Sequence, residues 1–165
     1  MNDIRSYLAT VPLFRDAPER ALEVAASVMQ LRRYEAQTVI FQEGDVGEAL
    51  YLLSRGLVKL SKVDLGGYEK TLAILQPPEF FGEMALLGAK TRTATAVALG
   101  EVQAYLLFGD DFTRLLQSYP AINLNLTTAL VQRLSRVDDE TQILSYKDAQ
   151  GRVALKQRHI LAEAV

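Results

Sequence analysis

Between about residues 36 and 109 the chain breaks into short runs rich in Val, Ile, Leu, Tyr and Thr, punctuated by glycine. They read "QTVIFQEGD", "ALYLLSRG", "LVKLSKVDLGG", "EKTLAIL", "RTATAVALG" and "VQAYLLFG". No other feature restricts the fold as strongly. β-branched and aromatic residues suit a pleated, half-buried surface. Regularly spaced short strands with turn signals predict an antiparallel sandwich or barrel. Gly44, Gly56, Gly66, Gly67, Gly100 and Gly109 are expected in turns, and "LGGY" at a hairpin tip.

Helices are expected on either side. In "APERALEVAASVMQLRR", Leu22, Ala25, Ala26, Val28 and Met29 fall at helical spacing. Pro18 stands near the start, and Arg32 and Arg33 are expected in the last turn, where the helix dipole favours cations. After the β region, "DDFTRLLQSYP" predicts a helix capped by Asp110 or Asp111 and stopped by Pro120. A longer helix is expected from about Ala121 to Tyr146. Within it Leu130, Leu134, Val137, Thr141 and Leu144 are spaced 4, 3, 4, 3, the seam of a two-helix coiled coil. Arg133, Arg136, Asp138, Asp139 and Glu140 surround that seam, so a homodimer is expected; packing on the chain's own β domain is the other reading. "KDAQG" reads as a hinge, after which Val153, Ala154, Ile160 and Leu161 restart a roughly helical pattern.

Composition excludes several chemistries. With 49% hydrophobic residues the chain has enough apolar material for one sizeable core. A net charge of −2 gives no global attraction to nucleic acid or an anionic membrane. There are no cysteines, hence no disulfides, thiolate nucleophiles or iron–sulfur ligands. The single histidine, His159, lies outside the β region, which argues against a metal-dependent enzyme on a barrel and against a Ser-His-Asp arrangement. No enzyme activity and no metal are expected. No run of about 18 apolar residues and no secretory leader are visible, so a cytoplasmic location without a membrane partner is expected.

Two charges break this pattern. In "FFGEMALLGAKTRTATAVAL", Glu83 and Arg92 stand in a segment otherwise read as core. A buried charge is costly unless it is paired or holds something. "EFFGEMALLG" predicts a strand end and then a short helical turn whose first N–H groups, around Met84 and Ala85, are open to an anion. Gly82 permits close approach to the backbone. Arg92, expected on a surface-open loop, supplies a fork suited to phosphate, and Thr93 adds a hydroxyl. Glu83 suits hydroxyl donors. A small phosphodiester bearing a free sugar hydroxyl satisfies both charges; an internal Glu83–Arg92 ion pair is the alternative.

"FGEMALL" followed by "RTATAV" resembles the phosphate-binding cassette of cyclic-nucleotide-binding domains. "VPLF" near the start and "GDVGEALYLLSRGLVKL", with Gly44, Gly47 and Gly56, are similar to the same family, and the likeness covers about residues 5 to 155. The resemblance implies a mainly β fold with flanking α, an antiparallel jelly-roll β-barrel followed by a long dimerisation helix. It implies that Glu83 binds the ribose 2′-hydroxyl and Arg92 the cyclic phosphate, that Thr93 touches phosphate or base, and that the backbone of Gly82, Met84 and Ala85 surrounds the ligand.

Within the family the long helix and tail resemble the bacterial catabolite activator branch of transcription regulators. That branch implies a division into a nucleotide-binding domain over 1–120, a dimerisation helix over 121–146 and, over 147–165, a hinge and the start of a DNA-binding domain. It implies cyclic AMP as effector, with cyclic GMP the alternative suggested by Thr93. The positions matching the branch's base-contacting Thr-Ser pair are Val137 and Asp138, with Arg133 one turn earlier. Only 14 residues follow Gly151, too few for a helix-turn-helix, so DNA binding is expected only if that domain is supplied. Two other functions fit the same sequence: a dimeric domain that keeps the fold without binding nucleotide, and a regulatory module acting on a separate protein.

Overall fold

Most of the apolar runs pair with one distant in sequence, "EKTLAIL" only with the run before it, and the pairing makes two sheets. The computed structural model describes residues 2–136. In chain order the strands are β1 (Gln30–Tyr34), β2 (Val39–Phe41), β3 (Ala49–Arg55), β4 (Val58–Val63), β5 (Glu69–Leu75), β6 (Phe80–Phe81), β7 (Thr95–Ala98) and β8 (Val102–Phe108). One sheet has the order β1-β8-β3-β6 and the other β2-β7-β4-β5, with every pairing antiparallel. This is the expected jelly-roll. The β4–β5 hairpin turns at the anticipated glycines, where Asp64 Oδ1 accepts from the Gly66 and Tyr68 amides, both at 2.9 Å.

The core lies between the sheets, built from alternate residues such as Tyr51, Leu53, Phe81, Ala96, Val102 and Leu106. β3 is apolar without alternation because both its faces are covered: Leu50 and Leu52, on the opposite side from Tyr51, are also fully buried. That outer face receives the helices. α1 (Asn2–Thr10) docks there through Tyr7, whose hydroxyl donates to the Leu53 carbonyl at 2.5 Å and whose ring lies 5.4 Å from that of Tyr105. A 3₁₀ turn (Pro12–Phe14), α2 (Glu19–Val28) and α3 (Gly109–Ser118) complete the layer.

Three local expectations are overturned. α2 ends at Val28, and Arg32 and Arg33 lie on β1, where Leu31 pairs with Tyr105 and Arg33 with Gln103. The open edge of β8 offers "QLRRY" a full ladder of backbone partners, which outweighs its helical spacing. At α3, Phe108 is the N-cap and Asp110 and Asp111 sit in the first turn, favoured by the dipole rather than by capping. Gly109 opens this helix instead of forming a turn.

Pro120 starts the next helix, α4, described over 120–136. The chain divides into two units between Leu126 and Thr127. In the first, Ile122 and Leu126 are buried, and Asn125 Nδ2 donates to the carbonyls of Leu13 and Arg15 at 3.0 and 2.7 Å. In the second, Leu130 and Arg133 are half-buried, and Val131 and Leu134 are exposed.

Candidate functional site

Glu83 and Arg92 are 4% and 5% exposed, the two buried charges among the described residues. The local sequence explains how Arg92 is carried inward. Residues 42–48 form a loop laid against 90–95: the Arg92 amide donates to the Asp45 carbonyl at 2.7 Å and the Gly44 amide to the Arg92 carbonyl at 2.9 Å. Glu43 N–H reaches Thr95 Oγ1 at 3.0 Å, and Val46 bridges Thr91. With its backbone clamped, the Arg92 side chain turns toward the barrel. Nη1 donates to the Gly82 carbonyl and Nη2 to the Ala49 carbonyl, both at 2.7 Å. The guanidinium carbon lies 4.3 Å from the centroid of the Phe41 ring and 5.5 Å from that of Tyr51.

Burial lowers the Arg92 pKa from its ordinary value, while Tyr51, Asp45 and Glu83 act in the opposite direction. Arginine starts so high that it stays a cation. Glycine at 47 and 82 is a condition of this packing. A Cβ on Gly47 would stand 2.2 Å from Ala85 Cβ and 3.0 Å from the guanidinium carbon. One on Gly82, where φ is +84°, would stand 2.8 Å from Arg92 Nη1.

β6 delivers Gly82 and Glu83, and the chain then makes a five-residue π-helical turn over Ala85–Ala89. Its bonds begin with the Leu86 and Leu87 amides on the Glu83 carbonyl, so the amides of Met84 and Ala85 precede the first of them. A cavity of about 70 Å³ opens here, lined by Phe41, Leu60, Gly82, Met84, Ala85, Arg92, Thr93 and Ala94. That is far below the ~300 Å³ of a typical small-molecule site, so its enclosed part suits one end of a ligand. Thr93 and Met84 are exposed at the rim. A larger, open groove of about 410 Å³ is lined by Arg5, Ser6, Ala17, Glu19 and Leu22 and contains none of the expected site residues.

A comparison with known families matches residues 31–119 to the cyclic nucleotide-binding domain. The chain belongs to that family. Among relatives of this cyclic nucleotide-binding domain is the cyclic AMP receptor protein of Thermus thermophilus, 39% identical over 93% of this chain and 71% of that one. The crystal structure of the Thermus thermophilus catabolite activator protein superposes with a TM-score of 0.75 at 41% identity, over 87% of this chain and 67% of that one. The regulatory domain of Toxoplasma gondii protein kinase A, solved with cyclic AMP, gives 0.65 at 31% identity, over 69% of this chain and 43% of that one. The domain is thus related to regulators of the cyclic AMP receptor type.

The structure brings Gly82, Met84, Ala85, Arg92 and Thr93 onto one cavity, with buried Glu83 between Gly82 and Met84. Arg133, Leu130 and Leu134 lie in the second unit, while Val137, Asp138, Thr141 and Leu144 fall outside the described residues. Arg92 departs from expectation in being buried rather than on an open loop. Phe41, Leu60 and Ala94 had no signal as site residues; in sequence they read only as strand or core. No group of three His, Cys, Asp or Glu side chains among the described residues is placed to hold a metal, and no described helix is long and apolar enough to cross a membrane.

Proposed function

We propose that this domain is the cyclic-nucleotide sensor of a transcription regulator of the cyclic AMP receptor type, with cyclic AMP as its effector. One observation carries the reading: a small cavity is lined by the buried Arg92, by Gly82 and by the start of the helical turn, and a second buried charge, Glu83, lies between that glycine and that turn in the chain. In this reading Glu83 accepts from the ribose 2′-hydroxyl. Arg92 has committed two of its five N–H groups to main-chain carbonyls and offers others to the cyclic phosphate, joined by the amides of Met84 and Ala85. Thr93, on the rim, faces phosphate or base. The names of the relatives above support cyclic AMP over cyclic GMP.

The rest of the reading extends to the long helix. Residues 121–146 pair with those of a second copy through Leu130, Leu134, Val137, Thr141 and Leu144, and Arg133, Val137 and Asp138 lie toward the base. A ligand touching both the cassette and the helix selects the helix arrangement it binds more tightly, and so positions a DNA-binding domain. The domain works in the cytoplasm and catalyses no reaction.

A second reading draws on the bonds from Arg92 to Gly82 and Ala49: the arginine then serves the fold alone. Calorimetric titration with cyclic AMP and cyclic GMP, on protein stripped of nucleotide, separates the two. The proposal predicts saturable binding with cyclic AMP preferred. Absence of binding by folded protein leaves the structural reading.

A further inference from the structure

We propose that Phe41 is a positioning residue for phosphate recognition, holding the Arg92 guanidinium face-on so that its free edge meets the ligand. The inference rests on the cyclic-nucleotide reading above. Phe41 is on β2 and Arg92 precedes β7; the pairing of Phe41 with Ala96 brings the ring beneath the guanidinium. Two carbonyls, of Gly82 and Ala49, fix two corners of the guanidinium plane in that plane. Hydrogen bonds of this kind leave the faces open, and the Phe41 ring at 4.3 Å covers one.

The ring is itself held. It lies 5.5 Å from Tyr51 and 5.9 Å from Phe81, tilted against both, while those two stack at 5.1 Å and 13°. An aromatic face attracts a cation most where water is excluded, and Arg92 is 5% exposed. The same ring also lines the cavity, so the residue that orients the cation stands where the ligand arrives. A guanidinium already ordered spares the ligand the cost of ordering it.

The test compares cyclic AMP binding by calorimetry in wild type, Phe41→Tyr and Phe41→Leu, with a melting curve on each. Phe41→Tyr keeps the ring and is expected to bind within about twofold of wild type. Phe41→Leu keeps apolar bulk and is expected to bind about tenfold more weakly, the equivalent of ~1.4 kcal/mol. Replacing Phe41 by phenylalanines of increasing ring fluorination keeps the shape and drains the π face; affinity is expected to fall stepwise with fluorine count. Equal affinity across the fluorinated series, or equal weakening in Phe41→Tyr and Phe41→Leu, overturns the proposal. The guanidinium NMR signals of Arg92 without ligand separate the two levels of failure. A ring-current shift in wild type, lost in Phe41→Leu, is expected from the geometry alone. If that shift is present while wild type binds no cyclic nucleotide, the functional reading falls and takes this role with it; if the shift is absent, the ring does not hold the arginine.

Discussion

Replacing Arg92 by alanine removes the donor of two hydrogen bonds at once, one buried and one part-buried, and leaves the carbonyls of Ala49 and Gly82 without it. Each such orphaned group costs about 1–3 kcal/mol, so Arg92→Ala is expected to destabilise the fold by ~2 kcal/mol or more as well as abolish nucleotide binding. Urea unfolding beside calorimetric titration checks both; loss of binding at unchanged stability would place the side chain on an open loop after all. Gly82→Ala acts on the same spot from the other side. With φ at +84° and Nη1 2.8 Å from the new methyl, it is expected to cost roughly 1–2 kcal/mol and to weaken binding by pushing the guanidinium aside. Glu83, Arg92 and their glycine were legible in the sequence because they are close together and chemically out of place among apolar neighbours. Phe41 was not, because its role exists only after strand pairing brings it to an arginine far along the chain.

Elements show where a local pattern yields to a tertiary one. The six apolar runs became strands because their β-forming residues and turn signals agree with the pairing they meet, β3 without alternation because both its faces are covered. "QLRRY" became a strand against its helical spacing, since the vacant edge of β8 is a partner no local window contains. Docking of α1 rests partly on Tyr7, whose pKa is raised by burial first and by Tyr105 second. The folded state therefore keeps the Tyr7 proton where the unfolded chain, near pH 10, gives it up. Stability from this group is whole below pH 10 and is lost as pH rises beyond it. Chemical denaturation between pH 9 and 11 is expected to show this fall, and Tyr7→Phe to flatten it while losing about 1 kcal/mol at neutral pH. An equally steep fall in the variant would assign the proton elsewhere. At the start of α4, Asn125→Ala is expected to cost about 1–2 kcal/mol, because the carbonyls of Leu13 and Arg15 lose their shared donor. An unchanged denaturation midpoint would contradict that.

At the scale of the whole molecule, the heptad seam proposes a second copy. Leu134, a residue of that seam, is 63% exposed in the single chain. Sedimentation at micromolar concentration is expected to give a dimer for the wild type and a monomer for Leu134→Asp, and equal masses would contradict the seam. Family membership was visible in the sequence because the cassette is short and continuous; assembly and ligand choice depend on surfaces that a local motif does not specify.

The proposed function requires Glu83 and Arg92 to hold one ligand between them. A double cycle tests this most directly: cyclic AMP and its 2′-deoxy analogue, each titrated into wild type and Glu83→Ala. A hydrogen bond to a charged group is worth about 1.5–3 kcal/mol, so removing the hydroxyl is expected to weaken binding to wild type by roughly ten- to a hundredfold. In Glu83→Ala the two ligands are then expected to bind alike. The same penalty for the deoxy ligand in both proteins would contradict the account, because the carboxylate would then not be the group that meets the sugar.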